Sequence, residues 1–435
     1  MLSLGSVSWA GRSEPGWRKE RVLSGGPFIA PILFLALLVV AVGCGEDAVP
    51  TTTVDDVEVL HSHGAEFCAD RPNHPHCRDD EDDDDSGDDG DAPEEDGYFV
   101  TILGDLDSSS DAVRGVNKQC RVVGRAGDEP FVWDPDLGMR SFLDGGPQGG
   151  AMGVNGHGTI VGFAFADGLA HGFVWDDGNE TRIEPLDTYE DLDATSASGV
   201  NDGGVIIGGS WVTDPDVHTG RSFVLEPGSE DPFVLEPLDA AHDGELRSVA
   251  LGINNDGLVI GSSSERWWDD EDERRRSEVT RVVWAPAAEG WKEPTPIEPQ
   301  AFLYGVNNDG DLVGSTGSVG LLWLNDQPLE LKAPPGHESA SARALTDRND
   351  GVIRVVGSSI RKQGQRSIEH AVLWTVTVAG EVEVEDLGTP EDYHMARATA
   401  VTVRNGEIVV GGRSEHRRGG RAAVLWTSAQ DACDG

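Results

Sequence analysis

The sequence predicts an all-β protein, a seven-bladed β-propeller of four-stranded blades that follows a disordered acidic linker. Three observations lead to this prediction: two short motifs recur after Tyr98, a tryptophan recurs at a fixed place behind them, and a further apolar run follows the tryptophan. Four short strands in about 40 to 50 residues are typical of a propeller blade. One such blade cannot bury both of its faces, so neighbouring blades must cover them.

Each copy of the repeat starts with Gly-apolar-Asn and continues with an apolar pair followed by Gly. The first motif is clear in five copies and degenerate in copies six and seven, at Ala344 and Ala400. The second motif occurs seven times, at Val122–Gly124, Ile160–Gly162, Ile206–Gly208, Val259–Gly261, Leu312–Gly314, Val355–Gly357 and Val409–Gly411. The residues between the motifs, such as Asn255 to Gly257, are typical of a hairpin turn between two strands.

The recurrent tryptophan lies in the predicted third strand of six copies, at positions 133, 175, 284, 323, 374 and 426, while copy three has Leu225. This series would also suit stacking on carbohydrate rings. Its fixed place in the repeat favours packing between blades instead. His171 and His370 likewise occupy equivalent repeat positions, and this favours a structural role for both.

The fourth apolar run predicts how the ring closes. It follows copies one to six, but copy seven lacks it because the chain ends nine residues after Trp426. A strand of the same type, Tyr98 to Asp107, precedes copy one. We therefore expect the N-terminal strand to complete the last blade, so that the propeller spans residues 98–429 and a short tail spans 430–435.

The repeats resemble a bacterial extracellular family named for a His-Ala-Phe (HAF) motif. The matching residues are His171-Gly172-Phe173-Val174-Trp175 and His370-Ala371-Val372-Leu373-Trp374, beside the Gly-Ile-Asn and Asp-Leu-Gly elements. The resemblance covers about three quarters of the chain, and most copies lack the His. It implies a secreted or surface-exposed repeat protein and no particular reaction.

Residues 1–43 have the pattern of an export signal: basic residues precede the apolar run Phe28 to Gly43, which is short for a membrane span. The end of this run, Val40 to Cys44, resembles the lipobox of bacterial lipoproteins, with Ala41 where Leu is commonest. The resemblance implies cleavage before Cys44 and acylation of its thiol. The absence of Asp at Gly45 favours the outer membrane of the cell envelope, where the chain would be surface-exposed or periplasmic.

Residues 44–97 are predicted to form a lipid-anchored disordered linker. From Asp79 to Asp96, 13 of 18 residues are acidic, a composition that repels itself and buries nothing. A solvated spacer is favoured over loose calcium binding. Between His61 and Cys77 lie four His and two Cys whose spacing matches no zinc pattern. A Cys68–Cys77 disulfide is the favoured interpretation for an exported protein, and a metal site is the alternative.

Two further cysteines are predicted to clamp the closure of the ring. Cys120 lies in the first hairpin of blade one, and Cys433 follows the third strand of blade seven. Both positions map to the same face of adjacent blades. A Cys120–Cys433 disulfide would close a very long loop.

The net charge of −45 disfavours nucleic acid as a partner, because phosphate binding needs a basic surface. No GxSxG, HExxH, GxxxxGK[ST] or CxxC motif occurs, and the central face is expected to carry small and apolar residues. The chain is therefore predicted not to be an enzyme, to need no cofactor or metal, and to be monomeric.

The segments between the second and third strands vary most and are predicted to be loops that share one face. The longest runs from Ser262 to Arg281, and those of copies six and seven are also basic. The candidate ligand-binding residues in them are Trp267, Trp268, Arg274, Arg275, Arg276, Arg361, Lys362, Arg417 and Arg418. Solvated loop charge is the alternative, because Asp269 to Glu273 can neutralise the arginines locally.

The function favoured by the sequence is a lipid-anchored surface protein that acts as a non-catalytic binding or adhesion scaffold. Its partner at the variable loops would be an anionic glycan, a lipid head group or an acidic protein. Two alternatives stay open: a propeller enzyme that acts on envelope or extracellular polysaccharide, and a purely structural envelope component.

Overall fold

The computed structural model describes residues 97–104, 111–143, 148–189, 191–229, 231–270, 272–364, 366–417 and 419–433. Within these ranges the chain is all-β, with 28 strands and no helix, and accordingly no described helix could cross a membrane. The predicted signal peptide, Cys44, the acidic linker, the Cys68–Cys77 pair and Arg418 lie outside the described residues.

The strands fall into groups of four that match the seven sequence copies. Copies one and two consist of β2 (Asp111–Val116), β3 (Val122–Ala126), β4 (Glu129–Asp134), β5 (Gly138–Ser141), β6 (Gly149–Val154), β7 (Ile160–Ala166), β8 (Leu169–Asp176) and β9 (Asn179–Ile183). Copies three and four consist of β10 (Ala194–Val200), β11 (Ile206–Trp211), β12 (Gly220–Leu225), β13 (Phe233–Leu235), β14 (Glu245–Ile253), β15 (Val259–Asp269), β16 (Arg274–Trp284) and β17 (Thr295–Pro296).

The remaining copies follow the same plan. Copies five and six consist of β18 (Phe302–Val306), β19 (Leu312–Ser315), β20 (Gly320–Leu324), β21 (Gln327–Leu331), β22 (Ser339–Leu345), β23 (Val352–Gln363), β24 (Arg366–Thr377) and β25 (Val382–Gly388). Copy seven consists of β26 (Tyr393–Arg404), β27 (Glu407–His416), β28 (Arg421–Thr427) and the N-terminal β1 (Phe99–Ile102).

Neighbouring strands within each group pair in antiparallel fashion. Five groups are separate four-stranded sheets, while copies three and four join into one eight-stranded sheet through a single parallel pair, Gly220 with Arg247. The predicted closing strand is confirmed: β1 pairs with β28, from Phe99 opposite Thr427 to Ile102 opposite Val424. The first and the last of the described strands therefore pair in one sheet.

The core lies between successive sheets. One buried cluster contains Val113 and Phe131 of copy one together with Val409 and Leu425 of copy seven, so the first and last sheets pack on each other. Trp284, Trp323 and Trp374 donate hydrogen bonds of 2.8–2.9 Å from Nε1 to backbone carbonyls at the end of the preceding copy. These contacts agree with the packing role that the repeat position of the tryptophans predicts.

A ladder of buried asparagines connects the hairpin turns after the first strands. Each Nδ2 donates a 3.0 Å hydrogen bond to a carbonyl of the next copy, in the order Asn117, Asn155, Asn201, Asn254 and Asn307. Within its own turn, Asn254 Oδ1 accepts a hydrogen bond from the amide of Leu258. The Gly-apolar-Asn motif is thus both a turn and a connection between copies.

The Cys120–Cys433 disulfide is present, and it is the pair that the sequence predicts. The two Cα atoms lie 5.6 Å apart, and 313 residues separate the cysteines along the chain. Cys120 is fully buried in the turn after β2, in the same cluster that joins copies one and seven. The disulfide therefore reinforces the place where the first and last sheets meet.

Candidate functional site

The predicted variable loops of copies four and six are largely strands, so their interpretation as loops is wrong. Strands β15 and β16 continue the hairpin outward until Asp269 pairs with Arg274, and β23 and β24 continue until Gln363 pairs with Arg366. Hydrogen bonds between the paired backbones hold these extensions together as antiparallel strands. The candidate residues Trp267, Trp268, Arg274, Arg275 and Arg276 accordingly lie on a paired ribbon.

Each of the three consecutive arginines at the end of this ribbon forms an ion pair with a carboxylate. Arg276 contacts Asp269 at 2.5 Å and also Asp272, and Arg274 lies 3.2 Å from Asp272. Arg275 faces Asp216 at 3.7 Å. Trp267 stacks on His242 with ring centroids 3.9 Å apart, whereas Trp268 is exposed. Neighbouring carboxylates therefore neutralise much of this predicted basic surface.

The other candidate residues do not gather around them. Lys362 forms a 2.8 Å ion pair with Glu338, and Arg361 is exposed near the end of β23. Arg417 is exposed in the turn that follows β27. The structure thus distributes the predicted residues over separate hairpins.

A different set of side chains occupies one repeated position of the first strands. Each first strand has a β-bulge just before the repeated Gly or Ala, and bulges re-aim a side chain. The bulge residues are Arg114, Met152, Ser198, Leu251, Tyr304, Arg343 and Thr399.

Bulge residues of neighbouring copies contact one another's strands. The Arg343 guanidinium lies 4.1 Å from the centroid of the Tyr304 ring. Ser198 Oγ donates a 2.9 Å hydrogen bond to the carbonyl of Ala250, and Thr399 Oγ1 donates a 2.8 Å bond to that of Val113. The last of these contacts joins copy seven to copy one.

Four arginines gather beside these bulges: Arg114, Arg343, Arg397 and Arg413, here called the arginine cluster. Arg114 reaches solvent, yet burial among protein atoms lowers its pKa, and the charges of Arg125, Arg343 and Arg397 lower it further. Burial lowers the pKa of Arg413 to about 10, with Arg397 and Arg421 adding to the effect. Such mutual repulsion favours binding of an anion.

Glu369 is the buried carboxylate of this region. It accepts a 2.6 Å hydrogen bond from Arg397 Nε, and only 8% of its side chain is exposed. Beside it lies a cavity of about 160 Å³ lined by Met395, Arg397, Arg413, Glu415 and Arg421. Arg343 Nε is buried and lacks a hydrogen-bond partner among the described residues. The region thus has donors to offer to an anionic ligand.

Sequence reasoning missed this cluster because it expected small and apolar residues on the central face. Arg114, Tyr304 and Arg343 occupy the bulge position instead. The signal was present in the residue just before each repeated Gly or Ala, which takes six different types in the seven copies. Variation at one position of an otherwise regular repeat is what a ligand site on a scaffold requires.

No protein-family model and no curated protein sequence match this chain. Among solved structures it is similar to the polysaccharide lyase Uly1, at 12% identity and TM-score 0.38 over 77% of this chain and 90% of that one. A glycoside hydrolase shares 10% identity at TM-score 0.31, over 77% and 91% of the two chains. A luciferin-regenerating enzyme shares 12% at TM-score 0.35, over 77% and 96%.

These comparisons correct the prediction that the protein is not an enzyme. The similar structures carry the names of enzymes. At identities of 10–12% the likeness concerns the fold and assigns no reaction.

Proposed function

We propose that the seven groups of strands stand around a common axis as the blades of a β-propeller, with the first strand of each group innermost. Three contacts support this arrangement. Copies one and seven share a buried cluster, Thr399 of β26 bonds to Val113 of β2, and β1 completes the last sheet. In this arrangement the bulge residues line the axis.

We further propose that the protein is an enzyme that acts on an acidic polysaccharide at this axis. The arginine cluster is the observation that carries the proposal. In a chain with a net charge of −45, four arginines are neighbours, and the buried carboxylate beside them, Glu369, is bonded to Arg397. Guanidinium groups bind carboxylate and sulfate through paired hydrogen bonds. A sugar polymer with such groups would relieve the repulsion among the arginines.

The reaction that this environment suits best is β-elimination at a uronic acid. A base removes the proton beside the sugar carboxylate, a C=C bond forms between C4 and C5, and the C4–O glycosidic bond breaks. The departing oxygen takes up a proton, so no oxidant or cofactor is consumed. Arginines beside the carboxylate would stabilise the charge that develops there in the transition state.

Arg343 and Tyr304 are the residues to which we assign this chemistry. The Arg343 guanidinium lies over the Tyr304 ring, 4.1 Å from its centroid. Arg343 would bind the sugar carboxylate, while the Tyr304 hydroxyl would transfer the proton. Arg397 is already bonded to Glu369, and it would add positive charge beside the site.

The test uses the full chain with a panel of uronate-containing and neutral polysaccharides. We expect ultraviolet absorbance from the new C=C bond with the acidic polymers alone. Arg343→Ala and Tyr304→Phe should each lower this rate at least about 100-fold. The matched control is Arg276→Ala, which removes an arginine at the end of the β15–β16 hairpin and should leave the rate unchanged.

Two outcomes would overturn the assignment. If neither absorbance nor new reducing ends appear with any acidic polymer, the proposed activity is absent. If Arg276→Ala abolishes cleavage while Arg343→Ala retains it, the site lies on the hairpin. Unchanged melting temperatures of the variants will show that the losses do not reflect unfolding.

Attachment to the membrane through Cys44 is a separate proposal that rests on the lipobox-like residues Val40 to Cys44. Acyl chains on this cysteine would anchor the chain without spanning the bilayer. Expression in a bacterium fed a labelled fatty acid should label the wild-type protein but not the Cys44→Ser variant. Equal labelling of both would reject lipidation at this position.

A further inference from the structure

Two histidines and an aspartate converge at the junction of copies five and six. His337 lies in the segment between β21 and β22, His370 lies on β24, and Asp386 lies on β25. Each residue offers one ligand atom, and all these atoms lie within 4.8 Å of one another. His337 Nε2 is 3.6 Å from Asp386 Oδ2, and His370 Nδ1 is 2.9 Å from the same oxygen.

Neighbouring groups hold these side chains in place. Ser359 Oγ lies 2.7 Å from His337 Nδ1, which leaves the Nε2 atom turned toward Asp386. The amide of Gly388 donates a 2.9 Å hydrogen bond to Asp386 Oδ1. Only 3% of the His337 side chain is exposed, against 31% of that of Asp386. Such outer contacts orient ligands in metal sites, and the exposure of Asp386 leaves room for water.

The corresponding position in copy two provides an internal comparison. His171 lies on β8 at the repeat position of His370, but its ring nitrogens are 2.7 and 2.9 Å from Arg182 Nη2. A guanidinium there replaces the carboxylate and second imidazole of copy six. The repeat alone therefore does not account for the arrangement of His337, His370 and Asp386.

We propose that His337, His370 and Asp386 bind a divalent transition metal ion, with water in the remaining position. Imidazole and carboxylate ligands together suit zinc and its neighbours in the first transition series. Because the ligands belong to the junction segment and to two strands of copy six, the bound ion would fix the junction between copies five and six. The proposal is independent of the proposed polysaccharide chemistry.

The test titrates the full chain, freed of metal by a chelator, with Co²⁺ and Zn²⁺. Co²⁺ binding is followed by visible absorption, Zn²⁺ binding by calorimetry, and stability by thermal unfolding. Because the His61–Cys77 segment can also take up metal, the readout is the difference between variants. His370→Ala and Asp386→Asn should each lose one equivalent of metal and the Zn²⁺-dependent rise in melting temperature.

The control variant His171→Ala should keep the full stoichiometry and the rise in melting temperature. Ser359→Ala should weaken binding by about 10- to 100-fold, since it frees the His337 ring. The proposal is overturned if His370→Ala and Asp386→Asn, folded by circular dichroism, bind as many equivalents as the wild type. A loss of the same size in His171→Ala would also overturn it.

Discussion

Gly208, the last residue of the apolar-pair–Gly motif in copy three, is required for a steric reason that does not apply to the adjacent Gly209. A methyl group on Gly208 would collide with the carbonyl oxygen of Ser196 and with the Phe223 ring. The next residue on the same strand, Gly209, would bring its methyl group no closer than 3.7 Å to another residue. Two adjacent glycines in one strand therefore differ in whether the structure leaves room for a side chain.

This difference gives a prediction for two adjacent alanine substitutions. Gly208→Ala should lower the free energy of unfolding by about 1–3 kcal/mol, because the added atom forces the backbone and an aromatic ring apart. Gly209→Ala should change it by no more than about 0.5 kcal/mol. Chemical denaturation of both variants measures the contrast; equal losses would refute the steric explanation.

His218 is expected to make the stability of the fold sensitive to acid. Burial lowers its pKa to about 4, with Arg247 and Arg266 adding to the effect, so the folded state holds it neutral. As pH falls from about 6.5 to about 4, the unfolded state binds a proton that the folded state does not. Stability should therefore fall by about 1–3 kcal/mol across this window.

The measurement compares melting temperatures at pH 7 and pH 5 for the wild type and His218→Gln. The variant lacks the titrating ring, so its melting temperature should fall less between the two pH values. A decrease as large as that of the wild type would show that other groups control the acid response.

At the scale of elements, the asparagine ladder makes each hairpin turn depend on the next copy. Asn254 is buried, and its amide both closes its own turn and bonds to Asn307. The adjacent Asn255 bonds across to Asp202 and Asn308 but is exposed, so water can replace its contacts. Substitution of Asn254 and of Asn255 therefore compares the free-energy cost of losing buried hydrogen bonds between copies with that of losing exposed ones.

We expect Asn254→Ala to lower the free energy of unfolding by about 2–4 kcal/mol, because the amide of Leu258 and the carbonyl of Asn307 both lose a hydrogen-bond partner. Asn255→Ala should cost about 1 kcal/mol or less. Hydrogen exchange should show increased opening in the turns of copies four and five for Asn254→Ala alone. Equal effects of the two substitutions would contradict the ladder's role.

Much of the element plan is predictable from sequence, while the candidate site is not. The seven motif copies, the closing strand β1 and the Cys120–Cys433 pair depend on spacing along the chain, which the sequence displays directly. The outward extension of β15 and β16 was missed because Arg274 to Arg276 lack an apolar pattern, and charge pairs replace it. The arginine cluster was missed because its members become neighbours only when different copies meet.

For the whole molecule, the disulfide joins the first hairpin of copy one to the segment that follows the last strand of copy seven. Cys433→Ser should lower the free energy of unfolding by about 2–5 kcal/mol, since the unfolded chain gains freedom over a very long loop. Thermal unfolding with and without reductant measures this effect, and the variant should no longer respond to reductant. Cys77→Ser is the matched control and should unfold like the wild type.

The β-bulges of the first strands also bear on how such a protein can change over evolutionary time. A bulged residue takes no regular place in the ladder, so its side chain can be exchanged at little cost to strand pairing. The seven positions already carry six residue types that differ in size and charge, from Ser198 to Arg343. The side chains presented at these positions can therefore change by single substitutions, while the asparagines and glycines that hold the sheets together stay the same.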